Sequence, residues 1–444
     1  MTMNIKCKLL AVLACASCAA TLFGTATDVP VVSDVTFNQP GGGFPVTVTY
    51  NLQYAPAIVT VDVLTNGVSI GADKVIHLEG DVNRVVQPGE QRKFKWFAKR
   101  DWPGHLIEDN IVSVKLTAWS LVAPPPYMVA DLETPSNVTY YTSVDSLPDG
   151  GLSNRLYKTS RLVMRRIDAV GVRWNMGSHP TETGYQKDTP LYVTREKIHP
   201  AQLTNDYYIG IYPLTRGQFK RITGFAPSRS DGPSGITNEI YSVQWVSYSE
   251  MRQVAPTDST ATPTASNHDY DWPAAPAPDS YLGKISSFTG VAFDLPGEGE
   301  WEYACRAGNY SGFWGDGSPI LQSTGQDVNL SRLANYALEN NNQGTCQPVG
   351  IYEPNAWGLY DMHGNLWEMC LDIYVDDISE LNGAINTTQI ASQSLDGTGG
   401  IRHSDRGGAR HKQAWSCRSS FRDRDPEAGR SGGVGFRLVS RIAQ

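Results

Sequence analysis

The sequence lacks an excess of positive charge. Its 444 residues include 37 Lys and Arg against 45 Asp and Glu, which gives a formal net charge of −8, and no basic run interrupts that balance. Proteins that bind nucleic acid through the phosphate backbone need a basic surface. The composition therefore argues against nucleic acid as a partner and favours small molecules, glycans or proteins.

Histidine and long apolar runs are also scarce. The eight histidines show none of the close spacings that bind zinc in metal hydrolases, so that class of enzyme is disfavoured. Beyond residue 26 no apolar run is long enough to cross a membrane. The sequence therefore predicts a protein with no transmembrane segment.

The N-terminus has the features of an export signal. Lys6 and Lys8 precede an apolar, Ala-rich stretch over residues 9–23. We assign residues 1–26 to a signal peptide, with cleavage after Ala20 or Ala26. The mature protein is then expected to be secreted, periplasmic or at the cell surface. A lipoprotein anchor at Cys15 is the alternative, although the residues before it match the lipoprotein pattern poorly.

Cysteine is rare outside that leader. Four cysteines remain in the mature chain: Cys305, Cys346, Cys370 and Cys417. An even number in an oxidising compartment allows two disulfides in three connectivities. Buried free thiols are the alternative, and spacing does not decide between them.

The first third of the mature chain alternates in the manner of β-strands. Three β-branched stretches carry this pattern: Val46–Tyr50, Ile58–Leu64 and Ile111–Trp119. Turn clusters separate them, which predicts an all-β sandwich over residues 28–135 that resembles an immunoglobulin-like or fibronectin-III-like domain. A stretch rich in Pro and Gly, residues 136–155, is predicted to be a linker to a second domain over residues 156–442.

The segment Asn355–Tyr374 sets large aromatic residues among glycines and contains one acidic residue, Glu368, in its tightest part. A carboxylate in such a place needs a cation or an arginine as its partner. Arginines are dense near the C-terminus, and we expect them to form ion pairs with interior carboxylates. They are Arg406, Arg410, Arg418, Arg422, Arg424, Arg430 and Arg437.

Two helix starts can be recognised in the second domain. Asp206–Phe219 indicates a strand that leads into a helix capped by Thr215. Leu295–Arg306 indicates a helix with acidic residues in its first turn, where the helix dipole favours negative charge. Trp301 and Cys305 lie four residues apart and should share one face of it.

Six motifs occur in the order that is found in formylglycine-generating enzymes, also called sulfatase-modifying factors, and the second domain resembles that family. The motifs are Trp174–Ser178, Asp206–Gly210, Leu295–Arg306, Asn355–Glu368, Arg406–Gly408 and Gly435–Arg437. The resemblance implies an α+β, C-type-lectin-like fold with much irregular backbone.

The resemblance also implies a chemistry, namely oxidation of a protein cysteine to formylglycine by dioxygen at copper. In the family, two cysteines four residues apart bind the metal, and paired thiolates suit Cu(I). Counted from Gly408, Cys417 stands at the second cysteine position and Lys412 at the first. Counted backward from Arg418 and Arg422, the loop is shorter and Cys417 falls beside structural positions of the strand, and on either count one thiolate is missing. Cys417 and the neighbouring His411 are the candidate catalytic residues. The alternative for Cys417 is a structural thiol or half of a disulfide.

Calcium is the second ion that the resemblance implies. One site would use carbonyls of His363, Gly364 and Leu366 with the carboxylate of Glu368, and oxygen ligands of this kind suit Ca²⁺. A second site would use residues of a loop that the family also shares: Asn335, Tyr336, Asn340 and Asn342.

Two functions remain open from the sequence. The first is an exported, non-catalytic binding or scaffold module that takes a protein or glycan ligand on surface loops such as residues 255–280 and 376–400. The second is a formylglycine-generating type of oxidase with an altered metal site, and copper is expected only in that case.

Overall fold

The computed structural model describes residues 29–39, 45–105, 107, 111–179, 182, 194–227, 239–257, 275–314, 327–337, 344–378 and 400–443. The chain divides into two units at Pro124 and Pro125. The predicted signal peptide, Asn340 and Asn342, and most of the loops at 255–280 and 376–400 lie outside the described residues. In the part of the chain that is described, no helix is long and apolar enough to span a membrane.

The first unit is rich in β-structure. One sheet has the order β1-β2-β7-β5 and consists of β1 (Val31–Asn38), β2 (Val46–Gln53), β5 (Leu78–Gly80) and β7 (Gly89–Trp96). A second sheet consists of β3 (Ala57–Thr65), β4 (Val68–Ser69), β6 (Val85–Val86) and β8 (Val112–Ser120). A short helix, α1 (Ala98–Asp101), follows β7. The predicted β-rich region is therefore confirmed.

Alternation along β2 shows why these residues form a sheet. Every second residue of β2 is buried, from Val46 to Leu52, and the residues between them are more exposed. On β7 the buried residues are Phe94 and Trp96, which pair in register with Val48 and Val46 of β2. An apolar face with period two is what a strand covering a core requires.

The second unit begins earlier than the sequence predicted. A five-stranded antiparallel sheet has the order β10-β9-β11-β14-β19 and consists of β9 (Tyr127–Asp131), β10 (Val138–Tyr141), β11 (Arg161–Ile167), β14 (Tyr207–Gly210) and β19 (Val439–Arg441). The predicted sandwich end at 135 and the linker 136–155 are therefore wrong. The Pro- and Gly-rich stretch forms tight turns that bury Leu147 in the core, and a linker would leave that side chain in water.

A second sheet positions the candidate site. Its order is β17-β16-β15-β18, and its strands are β15 (Trp367–Ile373), β16 (Arg402–Arg406), β17 (Arg422–Pro426) and β18 (Val434–Gly435). The pair β15 and β18 is parallel and the other pairs are antiparallel. A separate hairpin pairs β12 (Arg173–Met176) with β13 (His199–Gln202).

Four helices complete the described part of this unit: α2 (Arg216–Thr223), α3 (Tyr248–Arg252), α4 (Tyr281–Thr289) and α5 (Glu298–Arg306). Both predicted helix starts are confirmed. Thr215 caps α2, and Trp301 and Cys305 of α5 are both fully buried in the same apolar cluster. The second unit is thus α+β.

Thr215 allows a direct test of how α2 is held. Its Oγ1 accepts a hydrogen bond from Gln218 N at 3.2 Å and donates one to Lys158 O at 2.8 Å. We expect Thr215→Ala to lower the free energy of unfolding by about 1–2 kcal/mol, because a buried cap is lost. Urea unfolding followed by tryptophan fluorescence measures this loss. Thr215→Ser keeps the hydroxyl and is the matched control, and an equal loss in both variants would contradict the role of the cap.

Candidate functional site

Glu368 on β15 is buried and is held by an arginine. Nε of Arg437 donates to its Oε2 at 2.6 Å, and Nη2 of Arg437 donates to its Oε1 at 2.6 Å. The indole Nε1 of Trp301 donates to Oε2 at 2.7 Å. Of the two partners that the sequence allowed for this carboxylate, the structure contains the arginine, in the bidentate geometry that makes such pairs strong.

The same arginine ties this carboxylate to distant backbone. Arg437 Nη1 donates to Gly210 O at 2.9 Å, and its Nη2 donates to Tyr360 O at 2.9 Å. The turn before β15, the end of β14 and the C-terminal segment therefore meet at one buried guanidinium. Sequence reasoning expected an ion pair at Arg437 but did not find its partner, because 69 residues separate the two.

Among the calcium ligands predicted at this turn, the Glu368 carboxylate is already engaged by other groups. Both oxygens of Glu368 accept hydrogen bonds, and its charge is neutralised by Arg437. The Gly364 amide donates to Gly407 O at 2.7 Å, which fixes the backbone beside Leu366. A donor set whose only carboxylate is satisfied by arginine does not fit calcium well. Calcium at this turn stays a prediction, and it requires Glu368 to share its oxygens with the ion.

His363 contributes its ring to the packing of this turn. Nδ1 lies 2.8 Å from Cys417 O, so it carries the proton and donates, and Nε2 accepts from Trp314 N at 3.2 Å. Burial lowers the pKa of His363 to about 4, so the imidazole is neutral at physiological pH. A neutral ring with both nitrogens used locks the turn to the segment that contains Cys417.

Asn335, predicted for the second calcium site, lies beside the first. Asn335 forms a parallel β-bridge with Gly364, and its carbonyl oxygen accepts a hydrogen bond from Asn365 N at 2.7 Å. A side chain on Gly364, at φ +71°, would meet Asn335 O at 2.3 Å, so only glycine fits. The Tyr336 hydroxyl accepts from Asp327 N at 2.7 Å. Within the described ranges, no group of three or more His, Cys, Asp or Glu is arranged to bind a metal.

The predicted ion pairs with interior carboxylates are confirmed for five of the seven C-terminal arginines, and a sixth, Arg424, pairs with a carboxylate at the surface. Arg406 pairs with Glu302, Arg418 with Glu196 and Glu182, Arg422 with Glu298, Arg424 with Asp376, Arg430 with Glu250, and Arg437 with Glu368. Arg410 donates to Gly432 O at 2.8 Å. Glu298 and Glu302 belong to α5, so the acidic start of that helix also supplies partners for the sheet.

Cys417, the candidate copper ligand, lies fully inside the protein. A side chain on Gly408 would meet its sulfur at 2.6 Å, which shows how closely the backbone covers the thiol. Burial raises the pKa of Cys417 to about 12. The thiolate is the form that binds soft metals and attacks electrophiles. Cys417 is therefore an unreactive thiol in this structure.

Lys412 and His411 do not complete a metal site around that thiol. The Lys412 ammonium lies 3.6 Å from the Asp423 carboxylate and 5.7 Å from the centre of the Trp367 ring. His411 is exposed and packs against Gly433. The structure thus separates the two candidate catalytic side chains, since one lies in the core and the other at the surface.

All four cysteines in the described residues are buried thiols, so the predicted disulfides are wrong and the alternative is confirmed. They lie in different apolar clusters: Cys305 and Cys370 in one, Cys417 in a second and Cys346 in a third. Cys305 is 3.9 Å from His363 Nε2, a pairing that no sequence signal predicts. It is not a nucleophile pair, because burial raises the pKa of the thiol to about 12 and keeps the imidazole neutral.

With this geometry in place, comparison with known proteins identifies the second unit. Residues 174–442, more than half of the chain, match the sulfatase-modifying factor enzyme 1-like domain. The chain belongs to this family.

Similar proteins include an enzyme and a chaperone. The formylglycine-generating enzyme of Mus musculus is 38% identical over 99 residues, which are 21% of this chain and 26% of the enzyme. The chaperone protein LppX of Paenibacillus barcinonensis is 27% identical over 189 residues, or 37% of this chain and 62% of the chaperone. The chain therefore spans less than two thirds of either relative.

Solved structures show a more distant likeness. PvdO from Pseudomonas aeruginosa is 19% identical, with a TM-score of 0.46, and the alignment covers 63% of this chain and 95% of PvdO. Treponema denticola variable protein 1 is 21% identical with a TM-score of 0.41, over 63% of this chain and 95% of that protein.

The pair of Glu368 and Arg437 predicts a large loss of stability on substitution. We expect Glu368→Gln to destabilise the family domain by about 3–5 kcal/mol, because it leaves a fully buried guanidinium without a counter-charge. Glu133→Gln is the matched control, since Glu133 is exposed and pairs with Arg221 at 3.0 Å, and exposed pairs contribute about 0–1 kcal/mol. Thermal unfolding measures both, and a neutral Glu368→Gln would contradict the structural role.

Chelation tests whether calcium contributes at the same turn. We expect EDTA to leave the melting temperature of the wild type unchanged, because Arg437 already neutralises Glu368. An ion that binds only the folded state must raise the melting temperature when it is present. A chelator-induced fall that added calcium reverses would establish the calcium site instead.

Proposed function

We propose that this chain is an exported, non-catalytic binding or scaffold module built on the sulfatase-modifying factor fold. The observation that carries the proposal is the state of the two copper positions. Lys412 stands at the first and is ion-paired with Asp423, and Cys417 stands at the second as a fully buried thiol.

The side chains at the two copper positions support the proposal that the chain is non-catalytic. In the family, a substrate cysteine is oxidised by dioxygen at a bound copper ion. Two thiolates at these positions hold that copper. An ammonium has no lone pair to donate, and Cys417 is kept protonated by its burial, with a pKa of about 12. His411 is exposed, so it does not reach the buried sulfur as a replacement ligand.

A protein ligand is the partner that we favour. LppX, similar over 37% of this chain, is a chaperone by name, which supports a role in protein binding for the same type of domain. The predicted leader places this function outside the cytoplasm. We further propose that the domain has the C-type-lectin-like arrangement, in which loops on a rigid scaffold contact the ligand.

The alternative function is an oxidase of the formylglycine-generating type with an altered metal site. The similarity to the mouse enzyme, at 38% identity over 99 residues, supports it. In that case Cys417 would have to become accessible and deprotonated, and His411 would have to approach it.

A copper titration separates the two functions. We expect no stoichiometric Cu(I) binding by the purified wild type in competition with a chromogenic chelator. We also expect no oxidation of a cysteine-containing sulfatase peptide, followed by mass spectrometry. Lys412→Cys restores the thiol at the first position and is the matched variant that shows whether the assay detects a completed pair.

Turnover of the peptide by the wild type that disappears in Cys417→Ser would overturn the scaffold proposal. Stoichiometric Cu(I) binding that depends on Cys417 would do the same. Gain of binding only in Lys412→Cys would support the proposal and assign the loss of chemistry to position 412.

A further inference from the structure

Arg216, in the first turn of α2, is a buried arginine whose charge is not matched. The residue is 8% exposed, and Nη2 donates to Pro227 O at 3.0 Å. Nε and Nη1 have no hydrogen-bond partner, and no ion pair to a carboxylate is found for Arg216 among the described residues. Among the other buried arginines, six pair with a carboxylate: Arg252, Arg306, Arg406, Arg418, Arg422 and Arg437.

The unmatched charge of Arg216 is costly for the fold. A buried charge without a partner destabilises a protein by several kcal/mol. Buried polar groups that stay unpaired in a native structure call for a bound ion or water. Burial also lowers the pKa of Arg216, because the charged guanidinium is less stable away from water. The open nitrogens are therefore the strongest indication of a missing ligand in the described part of the chain.

The described surroundings of Arg216 supply no carboxylate to its two unpaired nitrogens. Its amide donates to Tyr241 O at 2.8 Å, and Tyr241 packs in an apolar cluster with Cys346 and Leu366. The Cys346 thiol is close enough to interact electrostatically with the guanidinium, but a thiol is a weak acceptor. Glu239 borders the start of α2 at Gly217, and its carboxylate bonds Arg155 at 3.2 Å.

We propose that Arg216 binds an oxyanion, that is, a carboxylate, phosphate or sulfate group of a ligand. A guanidinium with two open donors recognises such groups specifically. Apolar walls strengthen the attraction by lowering the local dielectric constant. The N-terminus of α2 adds a partial positive charge in the same place. The site involves neither Lys412 nor Cys417, so it does not depend on the proposed function.

The test measures the melting temperature of the full-length chain in acetate, phosphate or sulfate, at constant ionic strength against chloride. We expect a saturable rise of a few degrees, about what a hundredfold excess over Kd produces in a domain of this size. Arg216→Met should lose the rise and be at least as stable as the wild type in chloride, because an unpaired charge is removed. Arg221→Met, on the same helix, removes a partly exposed arginine that pairs with Glu133, and it should keep the rise.

The three anions distinguish the sources of the oxyanion. A rise with acetate alone identifies a carboxylate ligand, and a rise with phosphate or sulfate identifies a tetrahedral oxyanion. No saturable rise in the wild type with any of them, or an equal rise in Arg216→Met, would overturn the proposal. If Arg216→Met does not fold, calorimetric titration of the wild type and of Arg216→Gln with the same anions decides the question by the same criterion.

Discussion

The fold of the second unit depends on one buried carboxylate, that of Glu368. It joins β15 to α5 through Trp301 and to the C-terminal segment through Arg437. Arg437 then reaches the carbonyls of Gly210 and Tyr360, so the pair joins four parts of the chain that are distant in sequence. Buried pairs return little net energy after desolvation, but breaking one is costly. We therefore regard this pair as a device that specifies one arrangement of irregular backbone.

The same principle extends across the sheet that contains β15. Glu298 lies in the first turn of α5, where the helix dipole favours acidic residues, and it pairs with Arg422. Glu302, in the middle of the same helix, pairs with Arg406. Each carboxylate thus neutralises a buried arginine of β16 or β17. This explains how a chain with net charge −8 can place so many arginines in its interior.

Local patterns in the sequence predicted local structure well. Alternation identified the first sheet, and Thr215 and the acidic start of α5 identified two helices, because caps and periodicity act within a few residues. The sequence did not predict which residues pair when they are far apart along the chain. Glu368 required a cation or an arginine, and only the folded chain shows that Arg437 is the partner. Arg216 gave no signal at all, since a single arginine after a helix cap is usually exposed.

Two other predictions were wrong because they were inferred from composition alone. Proline and glycine between 136 and 155 indicated a linker, but tight turns use the same residues, and a turn differs from a linker only in what it buries, here Leu147. An even number of cysteines in a chain predicted to be exported indicated disulfides, whereas all four are buried as free thiols. In both cases the deciding quantity is burial, which composition does not report.

The separation between the buried ion pairs and the segment from Lys412 to Cys417 supports our proposal that this domain keeps its architecture with an incomplete copper pair. Lys412 pairs with Asp423, a half-exposed residue, and does not take part in the buried network of Glu298, Glu302 and Glu368. Cys417 contributes packing and a backbone carbonyl that His363 uses, and neither contribution needs a thiolate. On this proposal, a lysine in place of a metal ligand at position 412 costs the fold little, because its side chain pairs only with Asp423. The turn at Glu368 and the loop at Cys417 lie close together in space. The turn has to neutralise a buried charge, whereas the loop has only to pack in the core.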